Sequence, residues 1–174
     1  MKFRYLKCRP ADHPFPIVAW LIMIMQGELP WSKYSSSHRA LAFEYGGTWF
    51  VLDSNGKYGY RKTYYENFLK EYKVISERYF YKQLNEKEFK KWAKSHEGKK
   101  YDYCDVFGLL LKILGFISFN YYGYDFKKLK CNEVFLSFAQ DILNIKIGDP
   151  DNWDLKKTDE LVLKIIEGNY NQVK

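Results

Sequence analysis

Residues 38–53 constrain the fold more than any other stretch of the chain. His38-Arg39-Ala40-Leu41-Ala42-Phe43-Glu44-Tyr45 and Thr48-Trp49-Phe50-Val51-Leu52-Asp53 are strand-like runs separated only by Gly46-Gly47. A two-residue glycine link closes an antiparallel hairpin, because such turns need positive φ that glycine adopts freely. The turn also sets the register: Tyr45 opposes Thr48, Ala42 opposes Val51, Ala40 opposes Asp53, and His38 faces Asn55. Asp53 then becomes the diagonal neighbour of His38, on the same face as Ala40 and Ala42. Small residues on that face invite close packing by a helix. Arg39, Leu41 and Phe43 take the other face.

A second constraint lies far downstream. In residues 127–143 apolar residues recur at 134, 135, 138, 139, 142 and 143. That spacing is one stripe of an amphipathic helix. Cys131 falls one turn before the stripe, on the same side, at the helix start. The unpaired first-turn N–H groups and the helix dipole favour thiolate there, and Lys128 and Lys130 add positive charge. The same N–H groups suit a developing oxyanion. A cysteine on an apolar helical face also serves as a small core residue, so the helix alone leaves both roles open.

The remaining chain supplies an α+β pattern. Phe3 to Cys8 reads as a short strand, and Pro10, Pro14 and Pro16 break the chain before an apolar run, Ile17 to Met25. Nine residues fall well short of the roughly 20 that span a bilayer. Apolar on all sides, the run reads as a buried helix, with a docking surface for membrane or partner as the alternative. A polar loop follows from Trp31 to Ser37. Lys57 to Lys62 adds a strand, Thr63 to Glu71 a helix with Thr63 and Glu66 at capping-box spacing, and Tyr72 to Lys82 a further strand. Asn85 to His96, Tyr101 to Leu114 and Thr158 to Glu167 read as helices, and Phe116 to Lys130 as an aromatic loop. No repeat or linker divides the 174 residues, so one domain is expected over 1–174. Its apolar helix covers about 14–26.

Composition narrows the function classes. Hydrophobic residues at 47% and charged residues at 28% suit a globular chain with a substantial core. The net charge of +7 admits acidic partners, yet only five of the 28 basic residues are Arg. Base-edge and phosphate recognition leans on Arg, and no RNP-like motif is present, so nucleic acid is disfavoured. The rival that remains is a basic, aromatic-rich module for single strands. Three cysteines without CxxC spacing suggest neither a disulfide framework nor a metal site. With no signal peptide or transmembrane segment recognised, a cytoplasmic setting is expected, with no cofactor.

Nucleophilic thiol chemistry needs a base beside the sulfur and a group that orients the base. Cys131, His38 and Asp53 offer that set. His13 sits among prolines, and His96 ends a Lys-rich helix, where a cation is favourable. Cys104 is embedded in an apolar helical pattern (Val106, Phe107, Leu110), which points to core packing. Glu44 shares the face of His38 but lies six residues along the strand, roughly 20 Å away.

Together these motifs resemble a family. Ser36-Ser37-His38-Arg39-Ala40-Leu41-Ala42-Phe43, a next strand ending in Asp53, Tyr101-Asp102-Tyr103, and Lys130-Cys131-Asn132-Glu133-Val134 follow the order seen in circularly permuted papain-like enzymes. These are the permuted NlpC-type amidases and peptidases, related to lecithin–retinol acyltransferase. Pro150 to Leu155 is similar to the family's late P-x-x-L loop. The likeness spans about residues 34–160. It implies a papain-like antiparallel sheet packed against helices, with Cys131 as nucleophile at a helix N-terminus, His38 as base and Asp53 as orienting residue. It also implies hydrolysis of a peptide-like amide, including cell-wall peptides, with lipid acyl esters as the second substrate class. Tyr101 and Tyr103 are candidate cleft-lining residues. Family members usually begin with a G-D turn leading into an apolar strand. Pro14, Pro16 and the apolar run stand there instead, which points to a remodelled front wall.

Overall fold

The computed structural model describes residues 1–11, 17–101, 128–147 and 155–168. Its centre is a five-stranded, wholly antiparallel sheet in the order β4-β3-β2-β1-β5. The strands are β1 (Lys2–Pro10), β2 (His38–Tyr45), β3 (Thr48–Asn55), β4 (Gly59–Tyr64) and β5 (Tyr72–Tyr81). Helices α1 (Ile17–Met25), α2 (Tyr65–Glu71), α3 (Glu86–Ser95), α4 (Cys131–Ser137) and α5 (Leu155–Ile166) accompany it. The chain is therefore α+β.

The hairpin forms as its glycines require. Gly46 and Gly47 have φ of 59° and 76°, and the pairs Tyr45↔Thr48, Ala42↔Val51 and Leu41↔Leu52 carry the expected register. Strand β1 inserts on the other side of β2, pairing Cys8 with His38 and Phe3 with Phe43. β2 is thus central, and both of its faces are buried.

The two faces carry separate cores. Leu41, Phe43 and Leu52 join Phe3 and Tyr5 against Val134, Phe135 and Phe138. Aromatic contacts knit this side: Tyr5 meets Phe135 edge-on at 4.9 Å, and Phe138 lies 5.0 Å from Phe3. Ala40, Ala42, Leu6, Cys8 and Val51 form the other core, around Phe68 of α2. Burying that one phenylalanine contributes roughly 1.5–3 kcal/mol.

This arrangement corrects the expected packing. The alanine face does admit a helix, but it is the short α2. The Cys131 helix lies against the Leu41 and Phe43 face. Alternation in β2 could not choose between them, because apolar residues occupy both faces.

Other expectations shift too. α2 begins at Tyr65 with Tyr64 at its N-cap and no side-chain cap, so Thr63 belongs to β4. There it continues the sheet, paired with Val51. α3 matches its sequence signal, with the Asn85 side chain accepting from the Lys87 N–H at 3.0 Å. α4 continues into a π-helical turn, Phe138–Ile142, and α5 starts at Leu155. The helix expected over Tyr101–Leu114 lies outside the described residues except for Tyr101. That residue sits in a short strand, β6 (Lys100–Tyr101), parallel to β7 (Lys128–Leu129). Most of the loop expected over Phe116–Lys130 is likewise outside them. α1 is not the buried helix expected: Ala19 and Met23 are buried, whereas Ile17 and Ile24 face solvent. The loop after it is less polar in placement than in composition, since Ser35, Ser36 and Ser37 are buried.

Candidate active site

His38 opens β2 and projects to the α2 side of the sheet. Its Nε2 lies 3.2 Å from Oδ2 of Asp53, as the hairpin register requires. The imidazole stacks on Tyr72, with ring centroids 4.5 Å apart and planes 15° from parallel. Phe68 stacks behind Tyr72 at 4.8 Å. The ring is therefore fixed by packing as well as by hydrogen bonding.

Asp53 is completely buried and holds three partners. Besides His38, Arg61 donates from Nε at 2.8 Å and Asn55 from Nδ2 at 3.1 Å. Arg61 is itself clamped by both carboxylate oxygens of Glu71, at 2.9 and 3.1 Å. Burial opposes the charge on Asp53. The hydrogen bond and charge of His38, then those of Arg61, outweigh it and hold the carboxyl below its usual range.

Cys131 enters from the opposite side. β7 and the residue Lys130 deliver it to the first position of α4, where Glu133 accepts the Lys130 N–H at 2.7 Å and seals the helix start. The thiol is 4% exposed and hydrogen-bonded to His38. Burial disfavours thiolate, but the His38 hydrogen bond and charge override it, helped by Arg39, and the thiol titrates below its ordinary range. On His38, burial opposes the charge. Hydrogen bonds to Asp53 and Cys131 overcome it and raise the imidazole above its ordinary range. Both directions favour a thiolate–imidazolium pair.

Arg39 is the residue that sequence reasoning missed. It was assigned to the far face and given no role, whereas Lys128 and Lys130 were expected to supply the positive charge. Instead Lys130 Nζ pairs with Glu133 at 3.0 Å. The Arg39 backbone N–H donates to the Cys131 sulfur, and its guanidinium adds charge nearby. That guanidinium is 1% exposed and bound to Asp159 of α5 through Nε at 2.8 Å and Nη2 at 2.9 Å. Ser36 Oγ and the His38 carbonyl also accept from it. Asp159 further accepts from Tyr5 and pairs with Lys7. One available signal was a lone Arg in a run of apolar strand residues, since a buried Arg needs an acid.

The other expected participants separate. Tyr101 is half-buried in β6, next to the strand that leads into α4. Tyr103, His13, Cys104 and most of Pro150 to Leu155 lie outside the described residues. Cys8 is buried beside His38 in the sheet, and burial pushes its thiol far up, which makes it unreactive. Glu44 pairs with Lys2 at 2.8 Å. His96 caps the end of α3 as expected, but not as a favoured cation: it is buried, Nδ1 contacts the Trp92 carbonyl at 2.9 Å, and burial lowers its pKa.

A groove of about 250 Å³ is lined by Tyr79, Phe80, Leu143 and Ile165, among others. Tyr79 and Phe80 pair with Arg4 and Phe3, whereas Cys8 pairs with His38, so the groove and His38 lie at opposite ends of the sheet. Among the described residues no cluster of His, Cys, Asp or Glu is placed to hold a metal ion, and no helix is long and apolar enough to cross a membrane. No protein-family model matches the chain, and no curated protein matches it in sequence.

Proposed function

We propose that the protein is a cysteine hydrolase that cleaves a peptide-like amide through an acyl-enzyme on Cys131. The reading rests on one observation: a buried cysteine at a helix start beside an imidazole whose Nε2 lies 3.2 Å from a buried aspartate. The resemblance to permuted papain-like enzymes supports it, because the same residues occupy the same order along the chain.

In this mechanism the Cys131 thiolate attacks the carbonyl carbon, forming a C–S bond and a tetrahedral oxyanion. The Cys131 backbone N–H is the proposed oxyanion donor. His38 passes its proton to the leaving nitrogen as the C–N bond breaks, then takes a proton from water as that water attacks the thioester; the C–S bond breaks, releasing the acid and restoring the Cys131 thiolate. Asp53 keeps the ring oriented and its charged form stable throughout. Arg39 keeps the thiolate populated without exchanging a proton. Ester substrates would follow the same steps with an alcohol leaving group, and the exposed apolar residues just before His38 favour lipid esters as the second reading.

Incubation with a thiol-reactive acyl probe, followed by peptide mass analysis, tests the assignment. An adduct on Cys131 that disappears in His38→Ala is expected. Labelling confined to another residue would overturn it.

A further inference from the structure

The segment from Ile17 to Tyr34 carries more exposed apolar surface than a folded chain needs for its core. Ile17, Ile24, Leu29, Trp31 and Tyr34 all face solvent, Ile17 at 78% and Trp31 at 73%. Isolated exposed apolar residues are ordinary, but here five fall within one continuous segment. The segment is nevertheless ordered from beneath. Gln26 Nε2 donates to the carbonyls of Ile22 and Ser36, Arg9 Nη1 donates to the Ser32 carbonyl at 3.0 Å, and Ser35 Oγ donates to the Leu29 carbonyl.

Within residues 17–37 the exposed charged residue is Lys33. Residues 17–37 contain a single acid, Glu28, and a single base, Lys33. Glu28 is turned inward, where its carboxylate accepts the Ser36 N–H at 2.5 Å. Lys33 is exposed, with its ammonium 4.9 Å from the Tyr34 ring centre. Arg9, which holds the loop, pairs across the sheet with exposed Lys73. Glu71 at the same end is bound to Arg61.

We propose that this segment is a docking surface for an anionic lipid bilayer. α1 has nine residues, about 14 Å of helix, so it lies in the interface and cannot cross it. Trp31 and Tyr34 have the amphipathic rings that settle at headgroup depth, and Lys33 reaches the phosphates. Ser35, Ser36 and Ser37 connect the segment directly to His38, so docking would hold the site at the membrane surface. The surface stands whether or not Cys131 is a nucleophile.

Co-sedimentation with vesicles of phosphatidylcholine and phosphatidylserine tests it. Binding is expected to phosphatidylserine vesicles and to be much weaker with phosphatidylcholine alone, with Trp fluorescence shifting to the blue. Leu29→Ser combined with Trp31→Ser and Tyr34→Ser should reduce binding about tenfold or more. Lys33→Glu should weaken it and lower its salt sensitivity, while Tyr81→Ser, which removes an exposed aromatic elsewhere, should leave binding unchanged. Cys131→Ala should bind like the parent. Three results would each overturn the proposal: no sedimentation of the folded protein, binding that survives the triple substitution, or a concentration-dependent dimer that the triple substitution abolishes and vesicles do not compete with.

Discussion

His38 and Arg39 are neighbours on one strand, yet they build opposite halves of the site. His38 points to the α2 face and meets Asp53; Arg39 points to the α4 face and meets Asp159. Each acid gathers three side chains: His38, Asn55 and Arg61 on one face, Tyr5, Lys7 and Arg39 on the other. The difference is in the cation. The imidazole can release its proton and acts on the thiol through its ring, whereas Arg39 keeps its charge and acts through its main-chain N–H and the field of its guanidinium. Period-two alternation in a strand thus places a mobile proton and a fixed charge on either side of one sulfur.

The largest effect is expected on the fixed side. Asp159→Ala strands a buried guanidinium and should cost about 3 kcal/mol, at the low end for a broken buried pair because Asp159 is partly exposed. Urea unfolding reads it. Combining Arg39→Met with Asp159→Leu should recover much of that stability while the Cys131 thiol pKa rises, separating the structural role of the pair from its electrostatic one.

On the mobile side, Asp53→Asn should lower the population of the thiolate–imidazolium pair about tenfold, a change of about one pKa unit. Ultraviolet absorbance of the thiolate against pH would show it. If Asp53→Asn leaves the titration unchanged, Asp53 does not support the imidazolium.

Stability against pH separates the faces further. A raised His38 contributes stability that is complete below the ordinary imidazole range and is lost as pH rises through the folded value. A depressed Cys131 contributes above the ordinary thiol range and loses that contribution as pH falls through its folded value. From the ordinary imidazole range up to about 9, the value to which His38 is raised, these trends cancel, because the ordinary thiol value of 9.0 lies there too; a plateau from neutrality into mild alkali and a fall in acid are expected. Asp159 is also depressed, but Arg39 does not titrate, so that face weakens only in acid. His38→Gln should therefore remove the Cys131 part of the acid fall and leave the part carried by the carboxylates, Asp159 and the Arg61-bound Asp53.

The smallest matched pair is Asn55→Ala and Ser36→Ala. Asn55→Ala deletes its bond to Asp53 and the two that its Oδ1 accepts from the Lys57 and Tyr58 N–H groups, whereas Ser36→Ala deletes its bonds to Arg39 and Glu28; each lost bond to a charged partner should cost about 1–2 kcal/mol. Only Asn55→Ala, which loosens Asp53, should also move the thiolate titration measurably.

The hairpin was readable because Gly46-Gly47 left one turn and hence one register, and that register put Asp53 beside His38. Cys131 was readable from its place ahead of an apolar stripe. The side from which α4 approaches was not, because Ala40 and Ala42 alternate with Leu41 and Phe43 and both sets are apolar. Arg39 was overlooked for the same reason: its partner, Asp159, lies 120 residues away on a helix whose docking no local pattern records. α1 misled because an all-apolar run suits a core and an exposed docking face equally well.

The account depends most on the proton shared between Cys131 and His38. Nitrogen-15 NMR of the His38 ring, followed through pH in the parent and in Cys131→Ala, observes that proton without requiring any reagent to reach the buried sulfur. A ring protonated on both nitrogens at neutral pH, with a pKa that drops when the thiol is removed, is the result predicted. A neutral His38 at neutral pH, unmoved by Cys131→Ala, would contradict the ion pair and leave Cys131 as core packing.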